Sequence, residues 1–548
     1  MNTFSRSAIG LLVRRRYLWL SLLCGLLYLV NLGGYRLFDV DEPRYAETAR
    51  YMTAVGDYVV PIFNGRYRFE KPVLSYWLIA GSYKLFGTGE GPARLSAALC
   101  ALGTVLLTCL LAGRLRSPGQ GLAAGAVLAC CIQFIGLGRT AVTDMPLCFF
   151  FTATLVLFYL GYAAAADSRA RIFYLGSFGA CGLAVLTKGP VGLVLPGAIA
   201  GAFVLSRARA GPLLKRIPWV AGTLLLLATI LPWYLAVNLR SGNEFYRVFI
   251  LQHNFQRYFG RVDSLGQHLE PFYFYLPCLL AGFYPWSFYT LQAVWEALKR
   301  FTGGLRKKLL YSEGTEAFAF IWFALVMIFF SLSRAKLPTY ITPAFPPLAI
   351  LTVDYWVRRL GPRRACEILA LKVPALLGFL VASALAVALV LKGPELAGFP
   401  LGNLPLLTGI VLVTGPAAAL AFLLRNRPAA AVSAQVAAQL IFAWVLAFGI
   451  LPQVSRYRQE PQVRLVEKAI GHTGDNGTLA AFRYRKTALV FYSRRVVRFL
   501  EAHERAALDS LASPLAVITR DRHLAQLLES APELKLLARD HDLVLLGR

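Results

Sequence analysis

The sequence predicts a mostly α-helical protein that crosses a membrane many times and carries a small α/β domain at its carboxyl end. Of its 548 residues, 57% are hydrophobic and only 16% are charged, and the mean hydropathy is +0.55. Ordinary soluble domains contain about 25% charged residues. Most of the hydrophobic residues also fall into runs of about 20, the length that an α-helix needs to cross a bilayer.

About 13 such runs are bounded by charged residues, Pro or Gly, and each is predicted to be a transmembrane helix. They lie near residues 17–36, 92–113, 119–137, 145–165, 172–187, 189–205, 217–237, 272–295, 315–333, 339–356, 368–391, 402–424 and 429–451. A shorter apolar piece, 73–86, contains Lys84 and several aromatic residues. This composition favours a juxtamembrane helix that lies along the membrane surface.

The predicted orientation follows from Lys and Arg, which are enriched in short cytoplasmic loops. They collect in alternate connections, at residues 14–16, 114–116, 169–171, 207–216, 299–308, 358–364 and 425–427. The opposite side receives loops 37–91 and 238–271 and the C-terminal tail. The net charge of +28 is explained by this distribution and does not predict a nucleic-acid partner.

The transmembrane domain is predicted to span residues 1–451 and a soluble domain residues 452–548. In the second region hydrophobic runs shorten to strand length, at 478–482, 496–500, 515–519 and 543–546, and alternate with helical patterns at 501–511 and 523–530. Short strands that alternate with helices predict a small α/β domain. The predicted topology places it outside the cytoplasm.

The stretch 37–72 is too rich in charge to lie in lipid. Asp39, Asp41 and Glu42 fall within four positions directly after the first span, and Pro43 predicts that a helix begins there. An N-cap followed by a solvated loop would give the same pattern. Charged residues at membrane boundaries need a partner or a ligand, and the others predicted on this side are Glu70, Lys71, Asp144, Lys188 and Lys336.

These residue types suit a lipid-phosphate sugar donor. Lys and Arg at the bilayer edge can hold a lipid phosphate by attraction and charge-assisted hydrogen bonds. Carboxylates suit glycosyl transfer, because positive charge develops at the anomeric carbon in the transition state.

The motifs FDVDEPRYAE, RFEKPVLSYW, TDMPL, LTKGP and SRAKLPTYITP resemble those of the protein O-mannosyltransferase superfamily, polytopic glycosyltransferases with a GT-C fold. Within it the chain most resembles the lipid A aminoarabinose transferases. The resemblance implies an enzyme of the bacterial inner membrane with a periplasmic active site. Such an enzyme moves 4-amino-4-deoxy-L-arabinose from undecaprenyl phosphate to a lipid A phosphate, and thereby confers resistance to polymyxin and other cationic antimicrobial peptides.

The resemblance and the charge pattern together yield a set of expected site residues. The expected catalytic residues are Asp41, which is the main candidate, Glu42 and Asp144. Residues expected to bind donor or acceptor are Arg44, Tyr45, Glu70, Lys71, Lys188, Arg257, Lys336 and Tyr340. Arg44 could instead pair with Asp41, and Lys336 could extend to the membrane surface. The reaction is expected to proceed with inversion and to require no cofactor, although Glu70, His253 and His268 could hold a divalent cation.

Two other functions stay open at this point. A related transferase that uses a polyprenyl-phosphate sugar, such as a protein O-mannosyltransferase, would modify protein hydroxyls. A transporter or lipid flippase would also have many spans, but such proteins usually have two related halves and broken helices at the midplane, and no symmetry between halves is evident here.

Overall fold

The computed structural model describes residues 15–207, 210–249, 270–306, 314–360, 365–474, 476–501, 504 and 508–548. The chain forms two compact units. The first unit consists of Met1–Val30, Phe69–Ser75 and Ser96–Val445, and the second of Asn31–Arg68, Tyr76–Leu95 and Leu446–Arg548.

Helices account for most of the described residues. In chain order they are α1 (15–24), α2 (Asp41–Val55), α3 (Leu74–Phe86), α4 (Glu90–Leu115), α5 (Pro118–Ala129), α6 (Ile132–Leu137), α7 (Asp144–Ala163), α8 (Asp167–Lys188), α9 (Val191–Leu205), α10 (Ala210–Arg216), α11 (Trp219–Arg240), α12 (Tyr275–Gly282), α13 (Ser287–Arg306), α14 (Gly314–Leu332), α15 (Phe345–Arg359), α16 (Ala365–Ala397), α17 (Leu404–Leu424), α18 (Pro428–Val445), α19 (Leu451–Arg458), α20 (Glu460–Thr473), α21 (Ala488–Ser493) and α22 (Leu524–Ser530). A 3₁₀ turn, Pro338–Ala344, precedes α15, and π turns lie at Gly25–Leu29 and Leu446–Ile450.

Every predicted span falls largely on helical residues. Within the described ranges, seven helical stretches are long and apolar enough to cross a membrane: α4, α7, α8, α11, Leu369–Ala397, α17 and Pro428–Arg458. Shorter apolar helices occupy Val191–Leu205, Phe272–Gly282 and Glu316–Leu332. The multi-spanning character of the chain is therefore evident, whereas the count of about 13 crossings stays a prediction.

Two predicted spans, 119–137 and 272–295, are broken helices. The first is interrupted at Cys131, which is extended, and the second at the bend that contains Pro285. Hydrogen bonds join the two broken segments to each other. The Ile132 N–H donates to the Tyr284 carbonyl at 3.1 Å, and Trp286 Nε1 donates to the Val127 carbonyl at 2.9 Å. Non-helical backbone is tolerated at membrane depth when its polar groups are satisfied within the protein.

The second unit contains a five-stranded sheet. Its strands are β3 (Thr478–Phe482), β4 (Val497–Leu500), β5 (Leu515–Arg520), β6 (Lys535–Asp540) and β7 (Leu543–Gly547), in the order β4-β3-β5-β7-β6. Strand β3 is parallel to β4 and β5, and β7 is antiparallel to β5 and β6. A separate hairpin pairs β1 (Ile62–Phe63) with β2 (Arg66–Tyr67).

Side chains on both faces of this sheet are buried, as the alternation along β3 shows. Leu479 and Ala481 belong to the core on one face, together with Leu465 of α20, whereas Ala480 and Phe482 belong to the core on the other. Four of the five strands coincide with the predicted ones. Strand β6 was not predicted, because most of its residues are exposed at the edge of the sheet.

The predicted domain boundary at residue 451 does not coincide with an end of helical structure. Helix α18 continues through the π turn Leu446–Ile450 into α19, which ends only at Arg458. The hydropathy falls in this region because polar residues begin, but the backbone stays helical. The compact unit that holds the sheet also includes residues 31–68 and 76–95, which the sequence had grouped with the transmembrane domain.

Candidate active site

The three carboxylates of the 39–42 motif have different environments within the second unit. Asp39 is partly buried, Asp41 is exposed and Glu42 is buried. Helix α2 begins at Asp41, so the motif straddles the point where an irregular segment becomes a helix. The sequence alone could not distinguish the three, because their partners lie far away in the chain.

Glu42 forms a buried ion pair with Arg94. The Nε and Nη2 atoms of Arg94 are each 2.8 Å from a carboxylate oxygen of Glu42, and the side chains are 0% and 2% exposed, respectively. Arg94 also donates to three backbone carbonyls between residues 32 and 36, so all five of its N–H donors are used. This burial is at odds with the catalytic role predicted for Glu42, because substrate cannot reach the carboxylate. We therefore assign Glu42 a structural role.

Asp39 connects the same segment to the C-terminal part of the unit. Its carboxylate accepts hydrogen bonds from Gln462 Nε2 at 2.7 Å, Thr487 Oγ1 at 2.8 Å and the Ala488 N–H at 2.9 Å. Ala488 is the first residue of α21, and a carboxylate at a helix N-terminus is favourable. Asp39 and Glu42 thus fix the backbone on both sides of Asp41.

Asp41 is the member of the motif that stays accessible. Its side chain is exposed, and no side-chain partner for it is found among the described residues. Arg44, one turn further along α2, is partly exposed and likewise has no side-chain partner in the described part of the chain. The alternative that Arg44 merely pairs with Asp41 is therefore not what the structure shows. A free carboxylate at a fixed position can interact with a substrate.

Tyr45 packs inside the second unit. It is 6% exposed, and its ring stacks on that of Tyr76 with a centroid distance of 5.7 Å. The guanidinium of Arg68, itself 4% exposed, lies 4.6 Å from the centroid of the Tyr45 ring. This cation–π contact occupies a ring face that a substrate could otherwise have used.

A second cluster of predicted residues lies in the first unit. Asp144 begins α7 and Lys188 ends α8, and Lys188 Nζ lies 2.7 Å from Asp144 Oδ1. Both side chains are mostly buried, at 13% and 12% exposure for Asp144 and Lys188. The same ammonium group is 4.5 Å from the centroid of the Tyr340 ring. The structure thus brings together three residues that are separated by up to about 200 positions in the sequence.

The ends of two helices position this cluster. After Lys188 the chain turns at Gly189, which has φ of 87° and ψ of −152°, a conformation that is essentially restricted to glycine. Before Asp144 the turn is supported by Arg139, which is 2% exposed. Arg139 donates to the carbonyls of Leu27, Tyr28 and Val30, at the end of the first helical segment.

Glu70 and Lys71 join the first unit as well. Both are partly exposed and are followed by the buried Pro72. The charge of Lys71 and a hydrogen bond from Thr339 both act on the Asp144 carboxylate. Lys71 and Lys188 thus place two ammonium groups near the Asp144 carboxylate, and an ammonium group can bind an anion such as a phosphate.

The Lys336 ammonium group is bound by backbone carbonyls. It is 9% exposed, and its Nζ donates to the carbonyls of Ser333 and Glu270, the latter at 3.0 Å. Burial lowers the pKa of its ammonium group, and the opposing charge of Glu270 offsets part of that effect. The alternative that Lys336 extends freely to the membrane surface is not observed.

Three predicted residues, His253, Arg257 and His268, lie outside the described residues. The metal site that would combine Glu70 with the two histidines therefore stays untested. In the part of the chain that the structure describes, no group of three or more His, Cys, Asp and Glu side chains could hold a metal ion.

Sequence reasoning missed Arg94, Gln462 and Thr487. An arginine near the start of an apolar span is a signal in itself, since such a charge must be paired, and Arg94 could have been found in this way. The other two residues gave no signal, because Asp39 meets them across more than 400 positions.

The chain is similar in sequence to known glycosyltransferases. Residues 70–235 match the family described as dolichyl-phosphate-mannose-protein mannosyltransferase. A relative from Edwardsiella ictaluri (strain 93-146), named undecaprenyl phosphate-alpha-4-amino-4-deoxy-L-arabinose arabinosyl transferase, is 35% identical over 70% of this chain and 66% of its own length. A protein of the same name from Shewanella sediminis (strain HAW-EB3) is 31% identical over 83% of this chain and 80% of its own length.

The fold is similar to a solved structure. A crystal structure of ArnT from Cupriavidus metallidurans bound to undecaprenyl phosphate covers 97% of each chain with a TM-score of 0.80 at 23% identity. This likeness confirms the predicted helical membrane fold of GT-C type. Because the Shewanella relative is matched over most of its length, the chain belongs to the undecaprenyl phosphate-alpha-4-amino-4-deoxy-L-arabinose arabinosyl transferase family of polytopic membrane glycosyltransferases.

Proposed function

We propose that the chain transfers 4-amino-4-deoxy-L-arabinose from undecaprenyl phosphate to a phosphate of lipid A, on the periplasmic face of the inner membrane. The transfer would add a positively charged amine and so lower the negative surface charge that attracts polymyxin and other cationic antimicrobial peptides. The observation that carries this proposal is the exposed carboxylate of Asp41, which has no side-chain partner among the described residues while Asp39 and Glu42 anchor its surroundings.

The names of the relatives support the choice of donor. The Edwardsiella and Shewanella proteins are named as transferases of this sugar from undecaprenyl phosphate, and the similar crystal structure contains undecaprenyl phosphate. The match spans just under two thirds of the Edwardsiella protein. The substrates are therefore proposed for this chain and need a direct test.

Asp41 does not have to be a strong base in this reaction. The second pKa of a phosphate monoester is about 6, so a phosphate acceptor is largely an anionic nucleophile at neutral pH. The carboxylate can instead orient the acceptor and stabilise the positive charge that develops at the anomeric carbon. Direct attack by the acceptor phosphate on that carbon breaks the bond to undecaprenyl phosphate and inverts the configuration.

The lysines of the first unit are suited to the leaving group. Lys188 has three N–H donors and uses one toward Asp144, so the others can reach phosphate oxygens. Lys71 adds a second positive charge near Asp144. Arg44 and Arg257 are further candidates for the donor or acceptor phosphate, and Tyr340 orders the Lys188 ammonium. The proposed mechanism requires no cofactor, and a cation held by Glu70, His253 and His268 remains an alternative.

The test is to express the chain in a Gram-negative strain that makes the lipid-linked amino sugar but lacks its own transferase. Mass spectrometry of lipid A should detect the added aminopentose, and the minimal inhibitory concentration of polymyxin should rise. Vector alone is the control. An unmodified lipid A with new glycan staining on periplasmic proteins would instead support a protein O-mannosyltransferase-like activity.

A transporter or flippase is distinguished by a second assay. Purified protein in detergent has no second compartment, so sugar transfer to lipid A under these conditions requires an enzyme. Absence of transfer by folded protein supplied with both substrates would contradict the proposal.

A further inference from the structure

The connections of the five-stranded sheet reverse direction between β3 and β5. After β3 the chain passes through α21 to β4, on one side of β3, whereas after β5 it passes through α22 to β6 and β7, on the other side. Leu489 of α21 packs on one face of the sheet and Leu527 of α22 on the other. In open α/β sheets, ligands bind outside the carboxyl ends of the strands at such a reversal. The ends of β3 and β5 are therefore where a ligand of this unit is expected.

The residues at these two strand ends are basic. Arg483 directly follows β3, Arg520 is the last residue of β5, and Arg522 comes two positions later. Arg483 and Arg522 are exposed, and Arg520 is partly exposed. Partial burial lowers the pKa of the His523 imidazole, and the charges of all three arginines lower it further. The three guanidinium groups, which we call the arginine cluster, are thus close enough together to act on one side chain.

The exposed members of the cluster hold only neutral groups of the protein. Arg483 Nη1 donates to the Gln526 amide oxygen at 2.9 Å, and Arg522 Nε donates to His523 Nε2 at 3.2 Å. Among the described residues, neither arginine forms an ion pair with a carboxylate. Each guanidinium has five N–H donors, so both retain donors for an anion.

Carboxylates near the cluster are bound elsewhere or are largely solvated. Asp521 Oδ1 lies 3.0 Å from Arg539 Nη2, outside the cluster. Asp542 Oδ2 lies 3.8 Å from Arg520 Nε, and the two side chains are 71% and 37% exposed, respectively. Exposed ion pairs of this kind are weak. The cluster is therefore available to an external anion.

The loop 483–487 connects the cluster to the segment that holds Asp41. It begins with Arg483 and ends with Thr487, whose Oγ1 lies 2.7 Å from the Val40 carbonyl oxygen. Asp41 is the next residue after Val40. The anionic group bound by the cluster and the group that reacts at Asp41 can thus belong to one molecule.

A second path of contacts shows that the cluster is separate from the acidic motif. The Arg520 guanidinium lies 5.8 Å from the centroid of the Tyr484 ring. The Tyr484 hydroxyl donates to Gln462 at 3.0 Å, and Gln462 donates to Asp39 at 2.7 Å. Because two side chains intervene between Arg520 and Asp39, the cluster is a neighbour of the motif and not a part of it.

We propose that the arginine cluster binds a phosphate of the acceptor lipid A other than the phosphate that reacts. Lipid A carries a phosphate at each end of its disaccharide, so one can lie at Asp41 while the other contacts the cluster. The donor has a single phosphate and leaves none for this surface. Guanidinium groups hold phosphate oxygens by charge-assisted, bidentate hydrogen bonds. The inference rests on the proposed function, because it takes lipid A as the acceptor.

Binding is tested without donor, by native mass spectrometry of the purified full chain in detergent. Arg483→Gln/Arg522→Gln should weaken binding of lipid A on the order of tenfold. It should weaken binding of monophosphoryl lipid A much less, because the lost phosphate and the lost arginines are not additive when they contact each other. The matched control is Arg498→Gln/Lys535→Gln, which removes two exposed cations near the amino ends of β4 and β6. Equal binding of lipid A by the two double variants, or equal losses for both lipids, would overturn the proposal.

Transfer kinetics separate this inference from the proposed function. Arg483→Gln/Arg522→Gln should raise KM for lipid A and leave KM for the donor and the unfolding midpoint unchanged; if it does not fold, Arg522→Gln alone decides. Sugar transfer with an unchanged KM for lipid A would contradict the role of the cluster alone, whereas no transfer by the unmodified protein would contradict the proposed function. Phosphatidylglycerol that competes as well as lipid A itself would show a general anionic surface and also overturn the inference.

Discussion

Asp41 and Glu42 are adjacent in sequence but have opposite surroundings. The Glu42 carboxylate is 2% exposed and is bound by Arg94, while Asp41 is exposed at the first position of α2. A buried ion pair stabilises only while both partners are present, since removal of one leaves an uncompensated charge. We therefore expect Asp41 to contribute to the reaction and Glu42 to contribute to the stability of the folded protein.

Glu42→Gln should destabilise the folded protein by about 3–5 kcal/mol, because it leaves the Arg94 guanidinium buried without its counter-charge. The thermal-unfolding midpoint and the amount of protein in the membrane report this loss. Asp41→Asn is the matched control: it removes the same charge one residue away, and at an exposed helix N-terminus should cost about 0.3–1 kcal/mol. Equal midpoints for the two variants would show that the ion pair is unimportant.

Lys188→Ala should weaken binding of the lipid-phosphate donor. A charge-assisted hydrogen bond contributes about 1.5–3 kcal/mol, so KM for the donor should rise on the order of tenfold to a hundredfold. Donor titrations with purified enzyme measure the change, and Lys188→Arg should restore part of the affinity. Lys392→Ala, at a lysine that is 66% exposed, provides the control. Values of KM and kcat both equal to those of Lys392→Ala would contradict a contact between Lys188 and the donor phosphate.

The turn between α8 and α9 determines where the Lys188 side chain lies. Gly189 has φ of 87° and ψ of −152°, and a side chain at such a position costs about 1–3 kcal/mol. Gly189→Ala should therefore lower both the unfolding midpoint and the transferase activity. Gly197→Ala, in the middle of α9, places its methyl group where no heavy atom lies within 4 Å, and because Ala favours a helix more than Gly does, it should lower neither. Similar behaviour of the two variants would argue against strain at Gly189.

An ion pair ties the edge strand β6 to helix α20. Arg464 Nε lies 2.7 Å from Asp540 Oδ2, and this hydrogen bond lowers the pKa of Asp540 below its ordinary value of 3.8. A carboxyl group with a lowered pKa stabilises the fold above its ordinary pKa, and that stabilisation disappears as the pH falls through the lowered value. The contact should therefore stabilise the folded protein at neutral pH and not in strong acid.

Asp540→Asn should lower the unfolding midpoint at neutral pH by an amount equivalent to about 0.5 kcal/mol, a small value because the partner arginine is partly solvated. The difference in unfolding midpoint between Asp540→Asn and the unmodified protein should disappear as the pH falls below 3.8. Asp542→Asn, at a side chain that is 71% exposed, is the control and should show no such convergence. A difference that persists in acid would exclude the ion pair as its cause.

Local patterns predicted most of these elements, and long-range contacts explain the rest. The apolar run 145–165 became α7, because a long hydrophobic segment is helical whatever its neighbours are. The breaks near Cys131 and Pro285 were not predicted, since the two segments are joined by one backbone hydrogen bond and one from the Trp286 indole. Strand β6 was missed because an exposed edge strand lacks the hydrophobic alternation of a half-buried one.

The same reasoning applies to the site. Asp41 could be proposed from composition and resemblance. Only the contacts of Asp39 with Gln462 and of Glu42 with Arg94 distinguish it from the other two carboxylates. For Asp144 and Lys188 the sequence predicted only that both lie on the same side of the membrane, not that they form an ion pair. Its geometry depends on where two helices end, which sequence patterns define to within a few residues at best.

At the scale of the whole molecule, the predicted site residues that the structure describes fall into two groups, one in each unit. The first unit holds the Asp144–Lys188 cluster at helix ends predicted to be periplasmic. The second unit combines the sheet with residues 31–68 and 76–95. The segment 39–42 therefore has one exposed carboxylate, that of Asp41, because Asp39 and Glu42 bind groups in distant parts of the same unit.

The most direct test of this division is the transferase activity of Asp41→Asn. The variant is expressed in the strain that lacks its own enzyme, its membrane level and unfolding midpoint are compared with those of the unmodified protein, and lipid A is analysed by mass spectrometry. Asp167→Asn, which changes an aspartate at the first position of α8, is the control and should retain full transfer. We expect Asp41→Asn to be present at a normal level and to lose at least about 2.7 kcal/mol of transition-state stabilisation, so that the aminopentose adduct falls on the order of a hundredfold. A full adduct at a normal protein level would contradict the assignment of Asp41 to the reacting centre.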